Sequence, residues 1–282
     1  MRLNVNYRTT YSYSEPPRRV IQLLRVTPVS FTGQNVLDWR IDVDCDARLR
    51  EGRDGFGNVI HMLYVGHPLE QLTIAVTGTV LTEDRAGVVR GLPGDLPPTV
   101  FLRPTPLTAC DEGLSAFAAM IAGKGGSHLD IVHRLSTAIF ERLGFNIDAT
   151  NTGTTAVQAF AAGRGVCQDF AHIFIAVARL LRIPARYVSG HIFRRDGAVA
   201  QEAAHAWAEA WIEDLGWVAF DPTNGISADE THIRVAVGLD YLDAAPFAGA
   251  RAGGGAELLS VAVEVRDGRG PGQAQAQVQA QD

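Results

Sequence analysis

The sequence predicts an α+β protein in which an antiparallel β region precedes a region of mixed helices and strands. Apolar and polar residues alternate from Leu37 to Cys45 and again from Leu72 to Val80, which is the two-residue period of half-buried strands. Further along, the segment that begins at Cys167 carries apolar residues at helical spacing and ends before Pro184. Strands that precede a set of helices are typical of the α+β class.

A stretch rich in Gly and Pro separates the two patterns and predicts a boundary between two domains. We expect a smaller antiparallel β domain at 1–90, a linker at 91–112 and an α+β core at 113–266. The core includes a last strand from Leu258 to Val265. The Gln- and Ala-rich segment 267–282 lacks the apolar residues of a core, so we predict a disordered tail there.

Composition and motifs narrow the range of partners and cofactors. The net charge of −6 argues against nucleic acid or an anionic membrane as the main partner, because both bind basic surfaces. Three widely spaced cysteines without a CxxC pair indicate a reducing compartment. The N-terminus lacks the apolar core of a signal peptide, so we expect a cytoplasmic protein. Since no metal-ligand or phosphate-binding motif is present, we expect neither metal nor cofactor.

Cys167 is the first candidate for chemistry because it lies where a glycine-containing turn leads into a helix. The segment Gly163–Cys167 reads GRGVC, and the amphipathic helix follows it. The N-terminus of a helix presents unpaired N–H groups and a partial positive charge, which stabilise a thiolate and could also receive an oxyanion. The alternative is a small buried residue, since free cysteines are often buried. Position alone leaves both interpretations open.

A histidine and an aspartate form the second candidate pair. His205 begins an alternating segment, AHAWAEAWI, which predicts a strand with its even-numbered positions packed against a helix. Asp221 ends the next apolar strand, so an antiparallel hairpin would bring it beside His205. Taken alone, either residue could be structural. Five other histidines have no sequence context that indicates a function. They are His61, His67, His128, His133 and His232.

Three motifs together resemble the core of bacterial transglutaminase-like proteins. They are Gly165–His172 (GVCQDFAH), Ala204–Trp207 (AHAW) and Phe220–Asn224 (FDPTN). The order Cys, His, Asp and the separations of 38 residues (167 to 205) and 16 residues (205 to 221) are those of that family. The first 80 or so residues, with DGFGN at 54–58, resemble the β domain that often precedes this core.

The resemblance implies a papain-like core in which Cys167 is the nucleophile, His205 the general acid/base and Asp221 the acid that orients it. Asp169 and His172, close to the nucleophile, are interpreted as structural. The expected activity is cleavage of peptide or isopeptide amide bonds through a thioester. Transfer of the acyl group to an amine remains an alternative, as does a peptide-binding protein with little turnover. The expected partner is a peptide or protein substrate, and the family also suggests association with an ATP-grasp type of peptide ligase.

Overall fold

The computed structural model describes residues 1–92, 96–201 and 203–268. Its strands, in chain order, are β1 (Arg2–Tyr13), β2 (Arg19–Thr27), β3 (Gln34–Val43), β4 (Arg48–Arg53), β5 (Val59–Val65), β6 (Gln71–Thr82), β7 (Val88–Val89), β8 (Gly144–Phe145), β9 (Arg164–Gly165), β10 (Ala185–Ile192), β11 (Ala200–Gln201), β12 (His205–Ile212), β13 (Gly216–Asp221), β14 (Ile226–Ser227), β15 (His232–Gly238), β16 (Phe247–Ala252) and β17 (Glu257–Asp267). The helices are α1 (Glu112–Ala122), α2 (His128–Arg142), α3 (Ala156–Ala162), α4 (Cys167–Leu180) and α5 (Tyr241–Ala244), with 3-10 turns at Pro98–Leu102 and Pro106–Thr108.

Three antiparallel sheets carry most of the described strands. The first sheet has the order β11-β17-β1-β6-β3, and the second sheet has the order β16-β2-β5-β4. The core sheet has the order β14-β13-β12-β10-β15, with β7 added beside β13. A short parallel pair, β8 and β9, lies before α4. This arrangement confirms the predicted α+β class with an antiparallel β region ahead of a helix-containing core.

The last two strands, β16 and β17, pair with strands of the N-terminal region, which differs from the expected domain division. We expected the last strand to belong to the core at 113–266. Instead β17 pairs with β1 along its whole length, from Leu3 opposite Asp267 to Tyr13 opposite Glu257, and β16 pairs with β2. The physical reason is that β1 and β17 present matching alternation, so their apolar side chains share one face. Asp267 belongs to this strand, and the rest of the predicted tail from 269 lies outside the described residues.

Capping residues define the helix starts. Ser127 and Asp130 form a capping box at the start of α2, with the Asp130 N–H donating to Ser127 Oγ and the Ser127 N–H donating to Asp130 Oδ2. Asp111 caps α1, and the chain just before it, around Thr108, forms a 3-10 turn. The longest described helix, α2, has 15 residues, and no described helix combines the length and apolarity that a membrane crossing requires.

Helix α4 is the centre of the core. Its residues from Gln168 to Arg179 are buried, because the core sheet covers one side and helices α1, α2 and α3 cover the other. Arg179, in the last turn, donates to the carbonyl oxygens of Phe101, Ala185 and Leu239 and so fixes this end of the helix to three neighbouring segments. The predicted helix is thereby confirmed, and its position determines where Cys167 lies.

His191 joins the core sheet to the first sheet. It lies on β10, and its ring contacts Tyr7 of β1 edge to face at 5.5 Å and Trp39 of β3 at 6.3 Å between centroids. Its Nδ1 atom has no hydrogen-bond partner among the described residues. Burial lowers the pKa of His191 from 6.5 to about 4. The folded protein therefore holds this imidazole neutral at pH values where the unfolded chain protonates it.

We expect stability to fall as the pH drops from about 6.5 to 4. Over that range the unfolded state binds a proton on His191 and the folded state does not, which lowers the free energy of unfolding by about 3 kcal/mol at pH 4. His191→Phe should remove this share of the acid sensitivity in urea titrations at pH 7 and pH 4. His128→Gln, at an exposed position of α2, is the control. Equal acid sensitivity in wild type and His191→Phe would contradict the assignment.

Candidate functional site

The turn before α4 places Cys167 at the first position of the helix. Gly163 ends α3 with a positive φ of 65°, a conformation that favours glycine. Gly165 approaches the helix so closely that a Cβ atom there would lie 2.5 Å from Asp169 Oδ2. Val166 is extended and serves as the N-cap residue. Cys167 is half-buried, and the first N–H groups of the helix lie around it.

Asp169 supports this turn. Its Oδ2 atom accepts hydrogen bonds from the Val166 N–H at 2.8 Å and from Thr150 Oγ1 at 2.6 Å. Burial raises the pKa of Asp169, whereas these two hydrogen bonds lower it and only partly offset the rise. The Asp169 carboxyl group thus stabilises the turn that leads into α4, in agreement with the structural interpretation of this residue. His172 is also buried, and its Nε2 accepts a hydrogen bond from the Tyr241 N–H at 3.1 Å.

His205 and Asp221 meet as the hairpin predicts. Strands β12 and β13 are antiparallel neighbours with Ala208 opposite Phe220, so the first residue of β12 and the last residue of β13 lie at the same end. His205 Nε2 is 2.7 Å from Asp221 Oδ2. Burial lowers the pKa of His205, but the negative charge of Asp221, the hydrogen bond to Asp221 and the neighbouring Cys167 raise it to about 10. The structure thus brings His205 and Asp221 together, and Cys167 lines the same cleft as His205.

Asp221 is fully buried and accepts hydrogen bonds from several directions. Its Oδ1 atom accepts from the backbone N–H groups of Thr223 at 3.0 Å and Asn224 at 3.2 Å. Its Oδ2 atom accepts from Asn224 Nδ2 at 2.6 Å and lies 3.2 Å from His232 Nε2. Burial raises the pKa of Asp221, but the neighbouring His205 and His232 hold it well below its usual range. The DPTN turn therefore keeps the carboxylate ionised and fixed in orientation.

His232 is a site residue that the sequence did not reveal. It is buried at the start of β15, with Nε2 toward Asp221 and Nδ1 3.1 Å from Asp229 Oδ1. Burial lowers the pKa of His232, but the hydrogen bonds to the two carboxylates raise it above its usual value overall. Asp229 in turn accepts from Arg195 at 3.0 Å. A chain of hydrogen-bonded ionisable side chains therefore runs from the exposed Arg195 to His205.

Within the described residues, one group of side chains has potential ligand atoms close enough to share a metal ion. His205, Asp221 and His232 offer three such atoms within 4.8 Å of one another. However, the 2.7 Å separation of His205 Nε2 and Asp221 Oδ2 is that of a direct hydrogen bond. A zinc ion would have to lie about 2.0–2.1 Å from each atom and would separate them. The geometry fits a hydrogen-bonded chain, and we assign no metal to it.

Cys167 and His205 open onto a cleft of about 1060 Å³ between the core and the first sheet. On the core side, the walls include the exposed apolar residues Phe145 and Ile147. The opposite wall is the inner face of the first sheet, formed by Tyr7, Thr9, Tyr11, Leu259 and Val261. A cleft of this size accommodates a segment of polypeptide. The N-terminal and C-terminal strands are therefore part of the candidate site.

Comparisons with known proteins cover both parts of the chain. Residues 115–222 match the transglutaminase-like superfamily, and residues 3–81 match the bacterial transglutaminase-like N-terminal region. An uncharacterized protein of Mycobacterium leprae is 32% identical over 276 residues, which cover 94% of this chain and 98% of that protein. A protein-glutamine gamma-glutamyltransferase of Pseudomonas aeruginosa is 30% identical over 111 residues, 36% of this chain and 16% of that protein. The crystal structure of a candidate cysteine protease from Cytophaga hutchinsonii has a TM-score of 0.77 at 24% identity, covering 95% of this chain and 91% of that chain.

We expect His232→Gln to shift the reactivity of Cys167. His232 holds Asp221, and Asp221 holds His205, so removing the imidazole should slow the alkylation of Cys167 by iodoacetamide at pH 7 by roughly threefold. Mass spectrometry identifies which cysteine carries the label. Burial raises the pKa of Cys45 and of Cys110, which slows the alkylation of these two residues. His133→Gln, an exposed histidine of α2, is the control. An unchanged alkylation rate in His232→Gln would limit His232 to a purely structural role.

Proposed function

Because the chain belongs to the transglutaminase-like superfamily, we propose that it is a cysteine hydrolase that cleaves peptide or isopeptide amide bonds through a thioester on Cys167. The observation that carries the proposal is the placement of three side chains. Cys167 begins a buried helix, His205 lines the same cleft as Cys167, and Asp221 Oδ2 lies 2.7 Å from His205 Nε2. Each residue alone has a structural explanation, but Cys167 and His205 at the wall of one cleft, with the buried Asp221 bonded to His205, match the requirements of acyl transfer.

In the proposed first step, the Cys167 thiolate attacks the carbonyl carbon of the amide. Helix N–H groups at Cys167 and Gln168 are free of intrahelical bonds and are the candidate donors to the oxyanion. His205 uses Nε2 toward Asp221, which leaves Nδ1 for the proton that passes from the thiol to the leaving amine. The C–N bond then breaks, the amine departs with that proton, and the acyl group stays on sulfur.

In the second step water resolves the thioester. His205 takes a proton from the water, the C–S bond breaks, and the carboxylic acid and the thiolate–imidazolium pair result. Hydrolysis requires only that water reach the thioester from the cleft, whereas transfer to an amine requires that water be excluded while the thioester persists. Asp221 holds the imidazole in one tautomer throughout and stabilises its positive charge.

Transfer to an amine is the second candidate function. The similarity over 111 residues to a protein-glutamine gamma-glutamyltransferase favours it, although that match covers 36% of this chain. The two reactions share the thioester and differ only in the molecule that attacks it. A third candidate, a peptide-binding protein without turnover, predicts that the thioester never forms.

Product analysis with and without an added amine distinguishes these candidates. We expect casein or a glutamine-containing peptide to yield new N-termini or ammonia, with little incorporation of dansylcadaverine. Cys167→Ala should give no product, because no other described cysteine lines the cleft. Mass spectrometry of the peptides measures both outcomes. Dominant amine incorporation would replace hydrolysis by transfer, and the absence of both products and acyl-enzyme would remove the proposal.

The three side chains should act as one unit. We expect His205→Ala to lower kcat by at least about a thousandfold and Asp221→Asn to cost less, since an amide still holds the imidazole part of the time. Adding Asp221→Asn to His205→Ala should then change kcat less than twofold, because the residue that Asp221 orients is already gone. Steady-state kinetics on one peptide substrate measures all four enzymes. Additive losses would assign Asp221 a structural role and leave a Cys–His dyad.

A further inference from the structure

Within the described residues, strand β17 is paired with β1 along its whole inner edge but with β11 along only part of its outer edge. Its inner edge pairs with β1 over all eleven of its residues. On the outer edge, β11 pairs only Gln201 with Val263 and Ala200 with Glu264, and the Val265 N–H donates to Val199. Within the part of the chain that the structure describes, residues 257–262 have no backbone partner on this side. An open edge of this kind is a template for another strand.

The register decides which backbone groups point outward. The Ser14 N–H donates to the Ala256 carbonyl, so even-numbered residues of β17 direct their N–H and C=O groups toward β1. Odd-numbered residues therefore direct theirs outward, as the bond from Val265 to Val199 requires. Leu259 and Val261 consequently direct backbone donors and acceptors to the outer edge, where no described residue pairs with them.

The side chains of the same two residues face the cleft. Leu259 is opposite Tyr11 and Val261 is opposite Thr9, and all four line the cavity that contains Cys167 and His205. Leu259 is 51% exposed, and its neighbour Leu258 is 71% exposed. Natural edge strands are normally protected by charged residues, proline or a bulge. The segment LLSV at 258–261 has none of these, and its register with β1 is unbroken.

We propose that the outer edge of β17 at 257–261 binds the backbone of an extended polypeptide substrate as an added strand. This inference rests on the proposed function and adds a substrate class to it: unfolded or extended chains, with apolar side chains at alternate positions packing on Leu259 and Val261. Main-chain hydrogen bonds would supply affinity, and the alternate side chains would supply selectivity. A helical segment cannot pair with this edge, so helical substrates should be poor.

Hydrogen exchange tests the site without requiring turnover. The probe is reduced, alkylated casein added to Cys167→Ala, with residue-level exchange read by mass spectrometry. The amides of Leu259 and Val261 should exchange quickly in the free protein and at least tenfold more slowly with casein, whereas the inward amides of Leu258 and Ser260 start protected and stay so. Casein that binds without protecting Leu259 and Val261, or that does not bind, overturns the proposal.

A variant pair separates the backbone from the side chain. Leu259→Pro removes one outward N–H at an edge position where proline is tolerated, and Leu259→Ala removes only the side chain. The ratio of kcat/KM for casein to that for the small ester p-nitrophenyl acetate should fall roughly tenfold further in Leu259→Pro than in Leu259→Ala. Equal ratios overturn the edge site. If Leu259→Pro does not fold, the exchange result decides. Failure of wild type to form an acyl-enzyme with the ester would instead defeat the proposed function, while the exchange result still stands.

Discussion

The packing of helix α4 on the alanine face of β12 is the constraint on which the rest of the site depends. Ala206, Ala208 and Ala210 are buried with the side chains of α4 in one apolar core. Their small size lets the helix lie close to the strand, so that the first residue of α4 and the first residue of β12 meet at one end. Larger side chains at these positions would lift the helix and move Cys167 away from His205. The alternation of the AHAWAEAWI segment thus helps to determine the distance between Cys167 and His205.

The opposite face of the same strand carries a second constraint. Glu209, completely buried, accepts from Arg186 of β10 at 2.6 Å and from Arg234 of β15 at 2.8 Å. Arg186 also lies over the Trp217 ring at 3.9 Å. Buried charges that are paired in this way are costly to separate, so the three strands are held in one register. Glu209 follows His205 by four residues and Arg234 follows His232 by two, and this register brings both histidines to Asp221.

The features that the sequence could predict are those encoded within a short stretch of chain. The turn before Cys167, the helix after it and the hairpin from His205 to Asp221 each depend on residues close together in sequence, and the structure contains all three. His232 had no such signal, because β15 reaches the site through its pairing with β10, whose strand begins 47 residues earlier (185 to 232). The position of β17 was equally hidden, since its alternation fits either sheet and only the matching face of β1 selects one.

The pairing of β17 with β1 makes the N-terminal region part of the candidate site. If β1 to β6 formed an independent domain beside a complete core, the cleft would have a single wall, and the core alone would form it. Instead β17 closes the first sheet and contributes Leu259 and Val261 to the cleft, while Tyr7 and Tyr11 of β1 lie beside them. The two ends of the chain therefore build the wall that faces Cys167. The β region therefore lines the same cleft as Cys167 and His205, and this wall of the cleft is complete only when β1 and β17 are paired.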